Sequence, residues 1–152
     1  MLLIYRIVIN LILIISPIII LFRLFKKKED PIRFKEKFCF FSKKRSQGKL
    51  IWFHGASVGE ILSVVPLIEK LEKNKKINQI LLTSNTLSSS KILSNLKFKK
   101  TIHQFFPIDT NYHTKKFLDY WEPSSAFFID SEIWPNMITN IKNKSISLIL
   151  LN

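Results

Sequence analysis

Ile51-Trp52-Phe53-His54-Gly55-Ala56-Ser57-Val58-Gly59-Glu60 is the stretch whose reading decides the fold. The apolar residues 51–53 predict a buried strand, Gly55 closes it in a small turn, and a helix predicted over 57–73 opens with the carboxylate of Glu60 in its first turn. In a parallel α/β sheet, ligands sit outside the carboxyl ends of the strands, where loops converge and helix N-termini point at the ligand. Gly55 and Gly59 carry no Cβ, so the backbone is expected to come close to whatever binds there. The same residues also have a purely structural reading. Ser57 and Glu60 stand in the S-x-x-E relation of a capping box, in which the serine caps one end amide and the glutamate reaches back to another. Spacing alone leaves both roles of Glu60 open.

Downstream, strands and helices alternate. Strands are predicted over 79–83, 102–106, 125–129 and 146–151, and helices over 91–96, 111–121 and from Pro135 to about residue 141, with a bend or restart of the first helix at Pro66. Repetition at this spacing means βαβ units, a parallel sheet and right-handed crossovers. Four loops leave the carboxyl edge of that sheet. One of them, Asp130-Ser131-Glu132, sets two carboxylates at a strand end just before an aromatic residue and a proline. Pro135 also suits a first helical position, with Ser131 or Glu132 stabilising the helix start. No G-x-G-x-x-G and no P-loop is present.

Upstream, residues 1–25 form an apolar run broken by Arg6, Asn10, Pro17 and Arg23. Such a run suits a membrane anchor, spanning or deeply embedded, because about 20 apolar residues cross a bilayer. Lys26, Lys27 and Lys28 follow it, so the positive-inside rule puts the remainder in the cytoplasm. A cleaved signal peptide fits less well: no small-x-small site follows the apolar core, and the basic cluster lies on its far side. Residues 26–47 read as a basic juxtamembrane segment and linker, its phenylalanines suited to dip among lipid headgroups, and the folded domain is expected over 48–152. The 152 residues carry 24 Lys and Arg against 11 Asp and Glu, a net charge of +13, which favours an anionic membrane surface or a phosphorylated ligand. The abundance of Lys, Ile and Asn throughout gives compositional drift as the other source of that charge. A nucleic-acid binder would cluster basic and aromatic residues on one exposed face, whereas most aromatics here fall in strand or anchor runs that demand burial. A single cysteine, Cys39, excludes an internal disulfide and a multi-cysteine zinc site, and the three histidines have no ligand spacing; no metal or cofactor is expected.

Three ordered motifs, His54-Gly55-Ala56-Ser57-Val58-Gly59-Glu60, Pro107-Ile108-Asp109 and Asp130-Ser131-Glu132-Ile133-Trp134-Pro135-Asn136, resemble the N-terminal half of bacterial 3-deoxy-D-manno-octulosonic acid (Kdo) transferases. The resemblance covers essentially the whole chain. It implies a Rossmann-like parallel sheet, the N-terminal domain of a GT-B glycosyltransferase, preceded by a membrane anchor. It implies transfer of Kdo from CMP-Kdo to the lipid A precursor, lipid IVA, at the cytoplasmic face of the inner membrane, with inversion at the sugar carbon. On that resemblance Glu60 is the general base that takes the proton of the acceptor hydroxyl, and Glu132 supports the developing charge. Ser57, Gly59, Asp130 and Ser131, in the same two turns, are the expected substrate-binding residues. The family pattern departs at Asp130, where glutamate is usual, and at Ser89 and Cys39, where glycine is usual.

Members of that family continue through a second domain that holds CMP-Kdo. The 152 residues are therefore expected to carry the acceptor platform and the base, to meet CMP-Kdo only through a further domain, and not to transfer Kdo by themselves. A non-catalytic remnant that binds acidic lipid is the alternative expectation.

Overall fold

The computed structural model describes residues 1–130 and 133–151. Strands β1 (Leu50–His54), β2 (Gln79–Ser84), β3 (Thr101–Phe105), β4 (Ser125–Ile129) and β5 (Ser147–Leu151) form one parallel sheet in the order β3-β2-β1-β4-β5. Helices α1 (Leu2–Phe25), α2 (Val58–Glu72), α3 (Leu87–Asn95), α4 (Asn111–Trp121) and α5 (Pro135–Asn143) precede or connect them. The strand order follows from the chain running outward from β1 to β3 and then returning to the other side of β1. The reversal leaves a crevice between the carboxyl ends of β1 and β4, the place where open α/β sheets bind ligands.

The period of two along the strands sorts the core into two layers. Leu50, Trp52, Leu81, Ala126 and Phe128 pack with Phe117, Leu118 and Trp121 of α4 and Met137 and Ile141 of α5. Ile51, Phe53, Ile80, Leu82 and Ile129 point the other way, onto Ile61, Val64 and Ile68 of α2 and Leu93 of α3. Strands buried on both faces read as continuous apolar runs, which is why β1 and β2 stood out in the sequence. At the far edge, β5 keeps Leu150 61% exposed.

Two helices differ from the sequence expectation. α2 runs unbroken through Pro66, whose ring faces solvent while Ile61, Val64 and Ile68 anchor the opposite side. α3 begins four residues before the expected start, because Thr86 caps it by accepting from the Ser89 amide at 3.2 Å. Ser89 and Ser90 read as loop residues in sequence, yet both are buried, with Ser89 Oγ 2.7 Å from Thr86 Oγ1.

Residues 26–47 are tied closely to the sheet. A short 3-10 helix, Arg33–Phe38, sits against β3 with Glu36 fully buried. Glu36 pairs with Arg33 at 2.8 Å and accepts from the Phe105 amide at 2.9 Å, while Arg33 donates to His103 O and to Ser90 Oγ. Cys39 ends this turn at φ +58, the left-handed region that accounts for a glycine at this place in the family pattern. Beyond it, Phe41 stacks on Tyr120 with ring centroids 3.8 Å apart, and the Gln79 amide binds Lys44 O.

α1 is the one helix among the described residues long and apolar enough to cross a membrane. It does not stand away from the domain. Tyr5 and Arg6 bond to Asp109 and Asn136, Ser16 and Ile20 are buried, and Arg23 pairs with Glu29, which Lys37 also holds at 2.8 Å. The helix is therefore fastened along roughly 27 Å of its length. Its opposite face, including Ile4, Ile7, Leu11, Ile14 and Ile18, is exposed.

Candidate functional site

Glu60 is held by the turn it opens. Ser57 Oγ accepts from the Glu60 amide at 3.3 Å and donates to Glu60 Oε1 at 2.7 Å, while Glu60 Oε2 accepts from the Ala56 amide at 2.7 Å. This is the expected capping box with the reach extended by one residue, to the amide before the cap. The result is an ionisable oxygen pair fixed at a helix N-terminus, where the helix dipole favours negative charge.

Glu60 borders a cleft of about 440 Å3 lined by Gly59, Glu60, Ser63, Val64, Leu67, Ile129, Asp130 and Leu151. The cleft lies between the first turns of α2 and the carboxyl ends of β4 and β5, so Glu60 and Asp130, one from each of the stretches singled out in the sequence, line it together. The two glycines divide their roles. A Cβ on Gly55 would lie 3.1 Å from Ile129 Cδ1 and 3.2 Å from Glu60 Cβ, so Gly55 serves the packing of β4 against α2. Beyond its own helix backbone and chain neighbours, a Cβ on Gly59 would meet nothing nearer than Ser57 Oγ at 4.0 Å, and Gly59 is part of the cleft lining. Asp130 takes φ +56, which aspartate tolerates better than most residues, and its amide donates to Leu151 O at 2.8 Å. Ser131 and Glu132 lie outside the described residues.

A second cluster of polar groups supports the same edge of the sheet. Asp109, which carried no role in the sequence reading, is 1% exposed and accepts from the Asn136 amide (3.0 Å), the Met137 amide (2.8 Å) and the Tyr5 hydroxyl (2.7 Å). Trp134, the N-cap position of α5, makes no side-chain cap of its own; Asp109 caps the helix from another loop. Burial pushes the Asp109 carboxyl above its ordinary pKa, against the pull of the three hydrogen bonds. Sequence offered only the Pro-Ile-Asp motif as a signal, because the capped amides are 27 and 28 residues away. Under the loops, His54 is buried, with Nδ1 3.0 Å from Thr83 Oγ1 and its ring stacked 3.9 Å from Phe106.

Between α1 and this edge lies a further cleft of about 350 Å3, bordered by Ile9, Arg23, Lys37, Asn85, Phe106 and Trp134, among others. It brings two cations, Arg23 and Lys37, both paired with Glu29, and an apolar wall beside Trp134. A larger cleft, about 500 Å3 at Glu69, Glu72, Leu96 and Lys99, has none of these turn residues in its lining, and its Glu72 is committed to the Lys99 and Lys100 amides and the Thr101 hydroxyl. Among the described residues, no group of three His, Cys, Asp or Glu could hold a metal ion.

Comparison with known proteins gives this geometry a family. Residues 32–152 match the family model described as 3-Deoxy-D-manno-octulosonic-acid transferase (kdotransferase). A 3-deoxy-D-manno-octulosonic acid transferase of Rickettsia bellii is 42% identical over 142 residues, 93% of this chain and 34% of that protein. A probable mitochondrial 3-deoxy-D-manno-octulosonic acid transferase of Arabidopsis thaliana is 35% identical across 91% of this chain and 32% of its own length. The Haemophilus influenzae transferase is 26% identical across 94% and 34%. The chain thus spans about one third of the length of the curated relatives it matches. The parallel sheet, its β1/β4 crevice and this match together place the chain in the Kdo transferase family, as a Rossmann-like domain of the GT-B type.

Proposed function

We propose that these residues form the acceptor-binding half of a Kdo transferase, taking the lipid A precursor lipid IVA as acceptor and supplying the general base. One observation carries the reading: Glu60 and Asp130, which follow the two central strands β1 and β4, line a common cleft at the carboxyl edge of the sheet, with Gly59 also in its lining. In the reaction, the acceptor hydroxyl oxygen attacks the anomeric carbon of Kdo, its proton passes to a Glu60 oxygen, and the bond to the CMP phosphate breaks, with inversion. Glu132 supports the developing charge from the facing turn, and Ser57, Gly59, Asp130 and Ser131 contact substrate. CMP-Kdo is brought by the part of the family fold that these 152 residues do not span, so turnover requires that part.

The exposed apolar face of α1, in-plane along the domain, embeds in one leaflet at the cytoplasmic face of the inner membrane, with Lys26, Lys27 and Lys28 among anionic headgroups. An acceptor that keeps its acyl chains in that leaflet reaches the clefts with its phosphates near Arg23 and Lys37.

The second reading, a non-catalytic lipid-binding remnant, draws on the hydrogen bonds that already engage both Glu60 oxygens. Glu60→Gln separates the two, because glutamine still serves a capping box but takes up no proton. The test is a chimera in which this chain replaces the corresponding third of the Rickettsia bellii transferase, assayed for radiolabelled Kdo transfer. The proposal expects transfer, and its loss by roughly a hundred-fold or more in E60Q at unchanged melting temperature. Full activity of E60Q contradicts the base; an inactive, folded chimera favours the remnant.

A further inference from the structure

α1 does more than present an apolar face. At its N-terminal end two polar side chains, Tyr5 and Arg6, turn inward from this largely apolar helix and reach the β3–α4 loop and the start of α5. The Tyr5 hydroxyl donates to Asp109 Oδ2 at 2.7 Å, on the carboxylate that also takes the Asn136 and Met137 amides. Arg6 Nε donates to Asn136 Oδ1 at 2.9 Å, and its terminal nitrogen lies 3.4 Å from Asn111 Oδ1, which also receives Asn140 Nδ2 at 3.2 Å. Asn136 is fully buried and returns a bond from its own Nδ2 to Asp109 O at 2.6 Å. Four elements, α1, the β3–α4 loop, α4 and α5, thus meet in one closed hydrogen-bonded cluster.

The location gives the cluster its meaning. α5 starts at Pro135, five residues after Asp130, which lines the Glu60 cleft. The helix lacks a cap of its own, so its first amides are fixed by Asp109, and Asp109 and Asn136 are in turn held by the two side chains from α1. A helix needing only to sit in lipid would not place an arginine and a tyrosine on the domain side at such a desolvation cost. We propose that Tyr5 and Arg6 are positioning residues: through Asp109 and Asn136 they fix where α5 begins, so that the seating of α1 sets the placement of the first turn of α5. Its relevance to transfer rests on the acceptor-half reading; the coupling itself does not.

The test is site-resolved amide hydrogen exchange on the full chain in anionic phospholipid vesicles, comparing the parent with Y5F and R6M. Exchange at Asn136 and Met137 is expected to speed up roughly ten-fold in each variant, with the β1 amides of Trp52 and Phe53 and vesicle affinity unchanged. Ile14→Ala, on the outward face, is expected to weaken vesicle binding without altering exchange at Asn136. Unchanged exchange at Asn136 and Met137 in both Y5F and R6M overturns the proposal, and so does acceleration spread evenly over the chain, which would mark a general packing role. In the transferase chimera, Y5F is further expected to lower kcat with KM for the lipid held. Exchange needs no donor and no turnover, so failure of the transferase reading leaves this measurement decisive on its own.

Discussion

Glu60 shows how one side chain meets two demands. Its place in the chain closes a capping box that was legible from Ser57 and Glu60 alone, and the residue also borders a cleft that spacing could not reveal. Gly59 gives the sharper test, since no protein atom needs the space beside it. Gly59→Ala is expected to raise stability by about 0.5–1 kcal/mol, as alanine replaces glycine in a helix, while lowering affinity for lipid IVA. Thermal melts and lipid titration on one preparation check both halves. Asp109→Asn keeps one acceptor oxygen but turns an amide donor toward a backbone N–H at the start of α5; a loss of about 2 kcal/mol is expected in denaturant unfolding. Sequence could not show this role because the capped amides come from a loop that only the fold brings near.

At the level of elements, strand and helix order followed from apolar periodicity, whereas the start of α3 did not. Its serines favour turns in isolation, and only burial against the sheet, with Thr86 as cap, commits them to helix. The 26–47 segment was likewise opaque, because Glu36 and Arg33 look like surface charges until they are seen paired under β3. That docking has a pH signature. Burial, followed by the charges of Arg33 and Lys43, pushes His103 down to about 3, so it stays neutral in the fold beside Arg33 and Ser84. Below pH 6.5 the unfolded chain binds a proton at this histidine that the native state refuses. Its contribution is therefore present above pH 6.5 and is lost as pH falls toward 3. From pH 7 to 4.5 this residue is expected to cost about 2.5 kcal/mol of stability, and His103→Gln to flatten that slope in unfolding measured across the interval. For α1, Ile14→Asp puts a charge on the outward face; vesicle affinity is expected to fall by about 2–3 kcal/mol with the melting temperature of the domain unchanged.

For the molecule as a whole, the return of the chain from β3 to β4 is what makes a site. It carries the turn after β4 back beside the turn after β1, joining Asp130 to Glu60 across 70 residues of sequence. α1, with its exposed apolar face, is fastened at the same edge of the sheet, to Asp109, which borders the second cleft, and to Asn136 of α5. The alternation of strands and helices made the parallel sheet legible. The length of α1 and its apolar run suggested an anchor without showing that it lies along the domain, because hydropathy records burial in general and not which neighbour provides it. The most direct test of the acceptor-binding role is equilibrium binding of the detergent-solubilised chain to lipid IVA and to its dephosphorylated form. The account predicts binding that depends on the phosphates and is weakened in Gly59→Ala. Equal binding of both lipids, or binding indifferent to Gly59→Ala, would contradict it.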